Sequence, residues 1–251
     1  MKKRIISRLE IKNNFVVKGI RMEGLRKIDH PWNLIKKYYI DGIDEIIISD
    51  IVASLYGRNS LLDLIKKTAQ EVNIPICVGG GIRSIKDIND LLSSGADKVS
   101  INSYAVQNNE FISEASKVFG SQCIVAEIHA KKKTENKWEV YIENGREPTG
   151  LDVFDWVKKV QKLGAGEILL VSVDKDGSKG GFDFELANYV SKICEIPLIF
   201  GGGACQPSDA LDIFKLTNID ALFFGNILHF NNYTIKDIKD YLIKNTIEIR
   251  K

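Results

Sequence analysis

Two runs of three glycines, Gly79-Gly80-Gly81 and Gly201-Gly202-Gly203, are the residues whose type and spacing speak first of chemistry. Lacking side chains, such a run lets the backbone approach a ligand with its N–H groups turned outward, which holds phosphate without a formal positive charge. A single run is as readily a tight turn. Two runs at matching places favour phosphate, and each is followed by a small polar pair, Asn102-Ser103 or Gly225-Asn226, where a helix N-terminus can add to the cradle. Glu10 and His129 are the next candidates, because a carboxylate and an imidazole can both transfer protons. They occupy matching places in R-I-I-S-R-L-E-I-K, residues 4–12, and C-I-V-A-E-I-H-A-K, residues 123–131. A lone histidine at a strand end is ordinarily a satisfied polar residue. One whose repeat partner is a carboxylate is equally suited to a paired role. His30, His129 and His229 are too far apart in sequence to read as metal ligands, so no metal and no cofactor are expected.

Elements that could position these residues emerge from the repeat itself. I-P-I-C-V-G-G-G-I, residues 74–82, returns as I-P-L-I-F-G-G-G-A, residues 196–204, and Gly42-Ile43-Asp44-Glu45 returns as Gly164-Ala165-Gly166-Glu167. Eight short apolar runs lie near 4–11, 45–50, 74–79, 97–101, 123–128, 167–172, 196–200 and 220–224. Continuous Ile, Val and Leu runs of that length suit strands covered on both sides. Segments with helical spacing separate them, such as Leu61, Leu62, Leu64, Ile65 and Ala69, or Val153, Trp156, Val157, Val160 and Leu163; Pro31 and Pro207 stand where helices would start. Alternating strand and helix predicts a single (β/α)8 TIM barrel over 1–251, built from two repeated half-barrels of about 1–120 and 121–251. An open doubly wound sheet is the alternative. Residues 137–148 read as a hairpin around Asn144-Gly145, inserted after the fifth strand. Barrel chemistry sits at the C-terminal strand ends, so the two glycine runs would flank one mouth and hold a ligand with a phosphate at each end.

Composition excludes several classes. Hydrophobic residues make up 44%, charged residues 27%, and the net charge is +2 with Lys and Arg spread along the chain, so neither nucleic acid nor a membrane surface is an expected partner. The basic start, Met1 to Arg4, leads into too short an apolar stretch for a signal peptide. Cys77, Cys123, Cys194 and Cys205 lack metal-site or redox spacing and read as buried thiols in a reducing compartment, which places the chain in the cytoplasm.

The repeat with its paired glycine runs resembles the histidine-biosynthesis barrels, and among them the cyclase subunit of imidazole glycerol phosphate synthase. The carrying stretches are V-V-K-G (16–19), G-I-D-E-I-I-I-S-D-I-V-A-S (42–54), G-A-D-K-V-S-I-N (95–102), D-W-V (155–157), G-A-G-E-I-L-L (164–170) and D-K-D-G-S-K-G-G-F-D (174–183). The resemblance implies a glutaminase partner on the N-terminal barrel face, delivering ammonia through the barrel past a charged gate at Arg4, Glu45, Lys98 and Glu167. It implies phosphate contacts at Gly80, Asn102, Ser103, Gly202 and Gly203, with Gly225 and Asn226 beside the second. It places Lys18 on a loop over residues 18–30 that closes on substrate, and gives Asp50, Asp176 and Gly177 ligand-binding roles.

The same resemblance implies two catalytic aspartates, and at those positions stand Glu10 and His129, anchored in register by Lys12 and Lys131. Val171 stands where the family commonly has threonine, and Gly201 where serine is common. Three readings follow. The chain is an ordinary cyclase, or a paralogue that keeps the partner, phosphate sites and ammonia path for amidation or amidination of surface-polysaccharide sugars, or a non-catalytic scaffold for the glutaminase. Loss of both aspartates favours the paralogue over the first; the intact glycine runs favour it over the third.

Overall fold

In the computed structural model, which describes residues 2–52 and 61–250, eight parallel strands close into a (β/α)8 barrel. Its strands are β1 (Arg4–Lys12), β4 (Glu45–Asp50), β5 (Ile76–Gly79), β6 (Lys98–Ile101), β7 (Ile124–Thr134), β10 (Glu167–Ser172), β11 (Leu198–Gly201) and β12 (Ala221–Phe224). β1 closes the ring by pairing with β12 on one side and β4 on the other. Every residue of β4 and of β10 is buried, as parallel strands covered on both faces require. The last two residues of the 42–54 stretch, Ala53 and Ser54, lie outside the described residues.

Alternation along the strands splits the core in two. Ile5, Leu9 and Ile11 of β1 join the large cluster against the helices, whereas Ile6 joins a lumenal cluster with Ile47, Cys77, Val125, Leu169, Ile199 and Phe223. Helix ends set the strand starts. After helices Pro31–Ile40, Ile85–Ser93 and Val153–Lys162, Gly42, Gly95 and Gly164 adopt φ of +85°, +107° and +97°. The following N–H groups, of Ile43, Ala96 and Ala165, bond back to Tyr38, Leu91 and Val160. This left-handed ending fits glycine and turns the chain straight into the next strand. Pro31 and Pro207 do open helices, each in the first turn.

Two antiparallel extensions rise from the barrel, and they correct the sequence reading. Residues 18–30 do not form an open loop: β2 (Phe15–Ile20) and β3 (Glu23–Asp29) make a hairpin that continues β1. The second insertion is larger than a hairpin at 137–148. β7 itself runs on to Thr134 and pairs with β8 (Lys137–Ile142), which pairs with β9 (Glu147–Asp152) across a turn holding Asn144 and Gly145 at positive φ. Among the cysteines only Cys77 is buried; Cys123, Cys194 and Cys205 are half-buried because they sit at element ends. No helix among the described residues is long and apolar enough to cross a membrane.

Gly201 has a packing reason. A Cβ there would meet the Phe223 ring at 2.3 Å, so the aromatic ring occupies the space a serine would need. Gly201→Ser is expected to cost about 1–3 kcal/mol through overpacking. In a Phe223→Ala background the same change should cost markedly less, read from urea unfolding as a double-mutant cycle. Equal costs in both backgrounds would refute this coupling.

Candidate functional site

At the C-terminal strand ends a cavity lies on each glycine run. The first, of about 120 Å³, is lined by Gly80, Gly81, Asn102 and Ser103 together with Arg8, Ser49, Asp50, Glu127 and His129. Gly80 has φ +104°, and a Cβ would lie 2.2 Å from the Asp50 carbonyl oxygen, so only glycine passes here. Asn102 donates to the Glu127 and Tyr141 carbonyls, and Ser103 accepts from the Glu143 amide, which fixes both side chains at the rim. The second cavity is lined by Asp176, Gly177, Gly202, Gly203, Gly225 and Asn226 and is closed down to about 10 Å³. Gly202 repeats the first geometry, with φ +108° and the Ser172 carbonyl oxygen 2.6 Å from where a Cβ would sit. The helices expected to add their N-termini are one turn or little more, Ser103–Gln107 and Asn226–His229, too short for a sizeable helix dipole.

Lys18 belongs to this mouth, not to an exposed loop. Its ammonium is 4% exposed and bonds Glu10 Oε2 at 2.9 Å and Asp176 Oδ2 at 2.7 Å. Burial pushes Lys18 toward neutrality, but Asp176 and Glu10 outweigh it and raise its pKa. Burial presses the Glu10 carboxyl upward, yet Lys18 and Arg8 hold it below the ordinary range. Asp176 moves the other way: burial raises it, and Glu10 adds to the rise against Lys18. Two carboxylates thus share one ammonium, with the charge favoured on Glu10. The Gly177 position at φ +68° lets the hairpin touch down, since a Cβ there would lie 2.1 Å from the Gly19 carbonyl oxygen.

His129 lies in a separate cluster. Its Nε2 is 2.9 Å from Glu127 Oε1, which also takes Arg8 Nη2 at 2.7 Å, and Ser100 Oγ donates to Glu127 Oε2. Arg8 links the clusters, its Nη1 lying 3.8 Å from Glu10 Oε1. β1 and β7 stand opposite one another in the eight-strand ring, so the Arg8–Glu127 pair crosses the whole lumen. The sequence reading passed over both residues. A signal was present: Arg8 and Glu127 hold equivalent places in the repeated segments 4–12 and 123–131, two positions before Glu10 and His129. Ser49, Ser100 and Phe223 were also missed; the Phe223 ring stacks near the Arg8 guanidinium at 5.4 Å. His229 binds Tyr38 and the Arg8 carbonyl, and burial with Lys18 nearby lowers its pKa to about 4.

At the opposite end of the lumen Arg4, Glu45, Lys98 and Glu167 are the first residues of β1, β4, β6 and β10. They form a closed ring in which each cation contacts both carboxylates, at 2.7 and 2.5 Å for Arg4 and 2.5 and 2.6 Å for Lys98. Burial works against the Lys98 charge, but Glu45 and Glu167 raise its pKa. No group of three or more His, Cys, Asp or Glu among the described residues could hold a metal ion.

Glu127 makes the lumen sensitive to acid. Burial would raise its pKa, but Arg8 and the His129 hydrogen bond bring it from 4.5 down to about 2. The folded chain binds this proton more weakly than the unfolded chain, so the stabilisation is fully present above about pH 4.5 and is lost as pH falls toward 2. Replacing both partners, Arg8→Met with Glu127→Leu, removes this pair as a unit while Glu10 keeps its contact with Lys18, and is expected to retain the fold. That variant should lose less stability between pH 4.5 and 2 than the unaltered protein, measured by urea unfolding at each pH. Parallel pH profiles would refute the assignment.

Residues 4–234 match the family model described as "Histidine biosynthesis protein". The imidazole glycerol phosphate synthase subunit HisF of Lactococcus lactis subsp. lactis (strain IL1403) is 48% identical over 249 residues, covering 99% of this chain and 96% of the relative. That of Prochlorococcus marinus (strain AS9601) is 46% identical over 249 residues, covering 98% and 97%. With its closed barrel and full-length similarity to HisF subunits, the chain belongs to the histidine biosynthesis protein family.

Proposed function

We propose that this chain is a barrel subunit that binds a ligand with two phosphates, docks a glutaminase on its N-terminal face, and handles ammonia for amidation or amidination of surface-polysaccharide sugars. One observation carries the reading. The two positions that the family resemblance assigns to acid–base catalysis hold Glu10 and His129, and both are engaged by buried residues of their own lumen, Glu10 in an ion pair with Lys18 and His129 in a hydrogen bond with Glu127. Proton transfer needs hydrogen-bond reach to the substrate, so an acid–base pair altered in length, shape and partners does not suit the ordinary ring closure. The paired cradles, one supplied by each half-barrel (about 1–120 and 121–251), support a ligand phosphorylated at both ends. Lys18, Asp50, Asp176 and Gly177 would line the ligand between them.

The word "subunit" in the names of the relatives supports a partner chain, and the ring of Arg4, Glu45, Lys98 and Glu167 supports a gate at its docking face. Ammonia entering there would have to pass a pair of charged layers, this ring and the Arg8–Glu127 contact, with an apolar layer between them. The rival reading, formation of imidazole glycerol phosphate, is favoured by the 48% identity over nearly the whole chain.

The deciding experiment supplies ammonium salt at pH 8 directly to the barrel with the histidine-pathway substrate, bypassing any partner. Each well-placed acid or base contributes about 10²–10⁴-fold, so product formation is expected to be very slow or absent. Turnover of about one per second, ordinary for an enzyme, would return the chain to histidine biosynthesis. Crystals grown in phosphate should show anions at Gly80–Ser103 and Gly202–Asn226; well-ordered empty cradles would sink the two-phosphate reading.

A further inference from the structure

The first cavity contains more than a phosphate cradle. Four polar atoms beside it are buried without a hydrogen-bond partner: Arg8 Nε and Nη1, Ser49 Oγ and His129 Nδ1. Arg8 is 2% and His129 3% exposed, so water outside the cavity does not satisfy them. Buried polar groups ordinarily find partners, and a set left over around one cavity points to a ligand that completes it.

The opposite ring nitrogen of His129 is already committed. Nε2 lies 2.9 Å from Glu127 Oε1, and that oxygen also receives Arg8 Nη2. A carboxylate beside a guanidinium is ionised and has no proton to give, so the hydrogen of the imidazole–carboxylate bond resides on Nε2. The depressed pKa of Glu127 agrees with this geometry. In the neutral imidazole Nδ1 then carries the lone pair, and it is the ring nitrogen left without a partner in a residue that lines the cavity. A ring whose one nitrogen is oriented by a carboxylate, while the other meets the ligand, is the arrangement of a general base.

We propose that Arg8 and Glu127 are positioning residues that fix His129 in one tautomer, with Nδ1 as the proton acceptor presented to a phosphorylated ligand in the first cavity. This rests on the reading of the mouth as the reacting site and extends it. As ammonia forms a C–N bond at a carbonyl carbon of the ligand, the C=O π pair moves onto the oxygen that Arg8 holds; an N–H bond of the new amino group then breaks, its electron pair stays on nitrogen, and the proton forms Nδ1–H. The resulting imidazolium keeps Glu127 as its counter-charge. Arg8 serves twice, pairing with Glu127 through Nη2 and leaving Nε and Nη1 to hold an oxygen of the ligand. The charged residues that line this cavity with His129 are Arg8 from β1, Asp50 from β4, Arg83 beyond β5, Glu127 from its own strand and Glu143 from the β8–β9 turn.

The test reads the imidazole directly. In ¹⁵N-labelled full-length protein, signals of His129 are assigned by their loss in His129→Gln. The expected result is a downfield Nε2–H proton that exchanges slowly with solvent, and an unprotonated Nδ1 at neutral pH. In Arg8→Met with Glu127→Leu the downfield proton should vanish while circular dichroism and melting temperature show an intact barrel. An Nδ1–H tautomer in the unaltered protein, or a downfield proton unchanged in the double variant, overturns the proposal. Should the double variant fail to fold, the tautomer of the unaltered protein decides alone. Titrating inorganic phosphate against the Gly80 and Ser103 amides tests the cradle separately; no shift there counts against the two-phosphate reading and not against the imidazole assignment.

Discussion

An arginine buried at the middle of a barrel must find a counter-charge inside the lumen, because a lone guanidinium there would be far too costly. Arg8 meets that constraint by reaching to Glu127 on the opposite strand, and much of the mouth follows from the choice. Glu127 stays ionised and so dictates which nitrogen of His129 carries hydrogen. Phe223 flanks the guanidinium, and the ring needs the space that Gly201 leaves open. Ser100 fills the second carboxylate oxygen. Residues from β1, β6, β7, β11 and β12 are thereby coupled through one ion pair.

The lumen is consequently layered by charge. A four-membered charged ring stands at the N-terminal end, an apolar layer follows, then the Arg8–Glu127 pair, and last the cluster of Glu10, Lys18 and Asp176. Removing one member of such a pair strands its partner, whereas removing both need cost little stability. This asymmetry ties the identities of the residues to one another. Glu10, His129 and Gly201 sit beside Arg8, Glu127 and Phe223 and share their contacts, so the six form one connected interior.

Glycine does different work at the rim. At Gly80 and Gly202 a neighbouring carbonyl occupies the place of a Cβ, and the positive φ turns the backbone toward the cavity. At Gly177 the same closeness admits the β2–β3 hairpin, which Lys18 fastens to β1 and to the segment after β10. The hairpin lines a neighbouring cavity together with Gly177 and Asn226, whereas the cavity on the first glycine run is lined by Glu143 and Asn144 of the β8–β9 turn.

Strand and helix order, the closing of eight strands and the placing of two glycine runs at one mouth were legible in the sequence, because apolar run length, paired glycine runs and helix-starting prolines are local signals. The charged ring was legible as four residues at strand starts only with the help of the family resemblance. Segments 18–30 and 137–148 were half legible: turn residues such as Asn144-Gly145 were visible, but strand pairing depends on partners the local pattern does not name. Arg8 and Glu127 stood in plain view as repeat partners, yet neither spacing nor type says that two side chains 119 positions apart will meet. Closure of the barrel decides that, by setting β1 opposite β7 and turning alternate residues of both into one narrow, water-poor lumen where unlike charges have to pair.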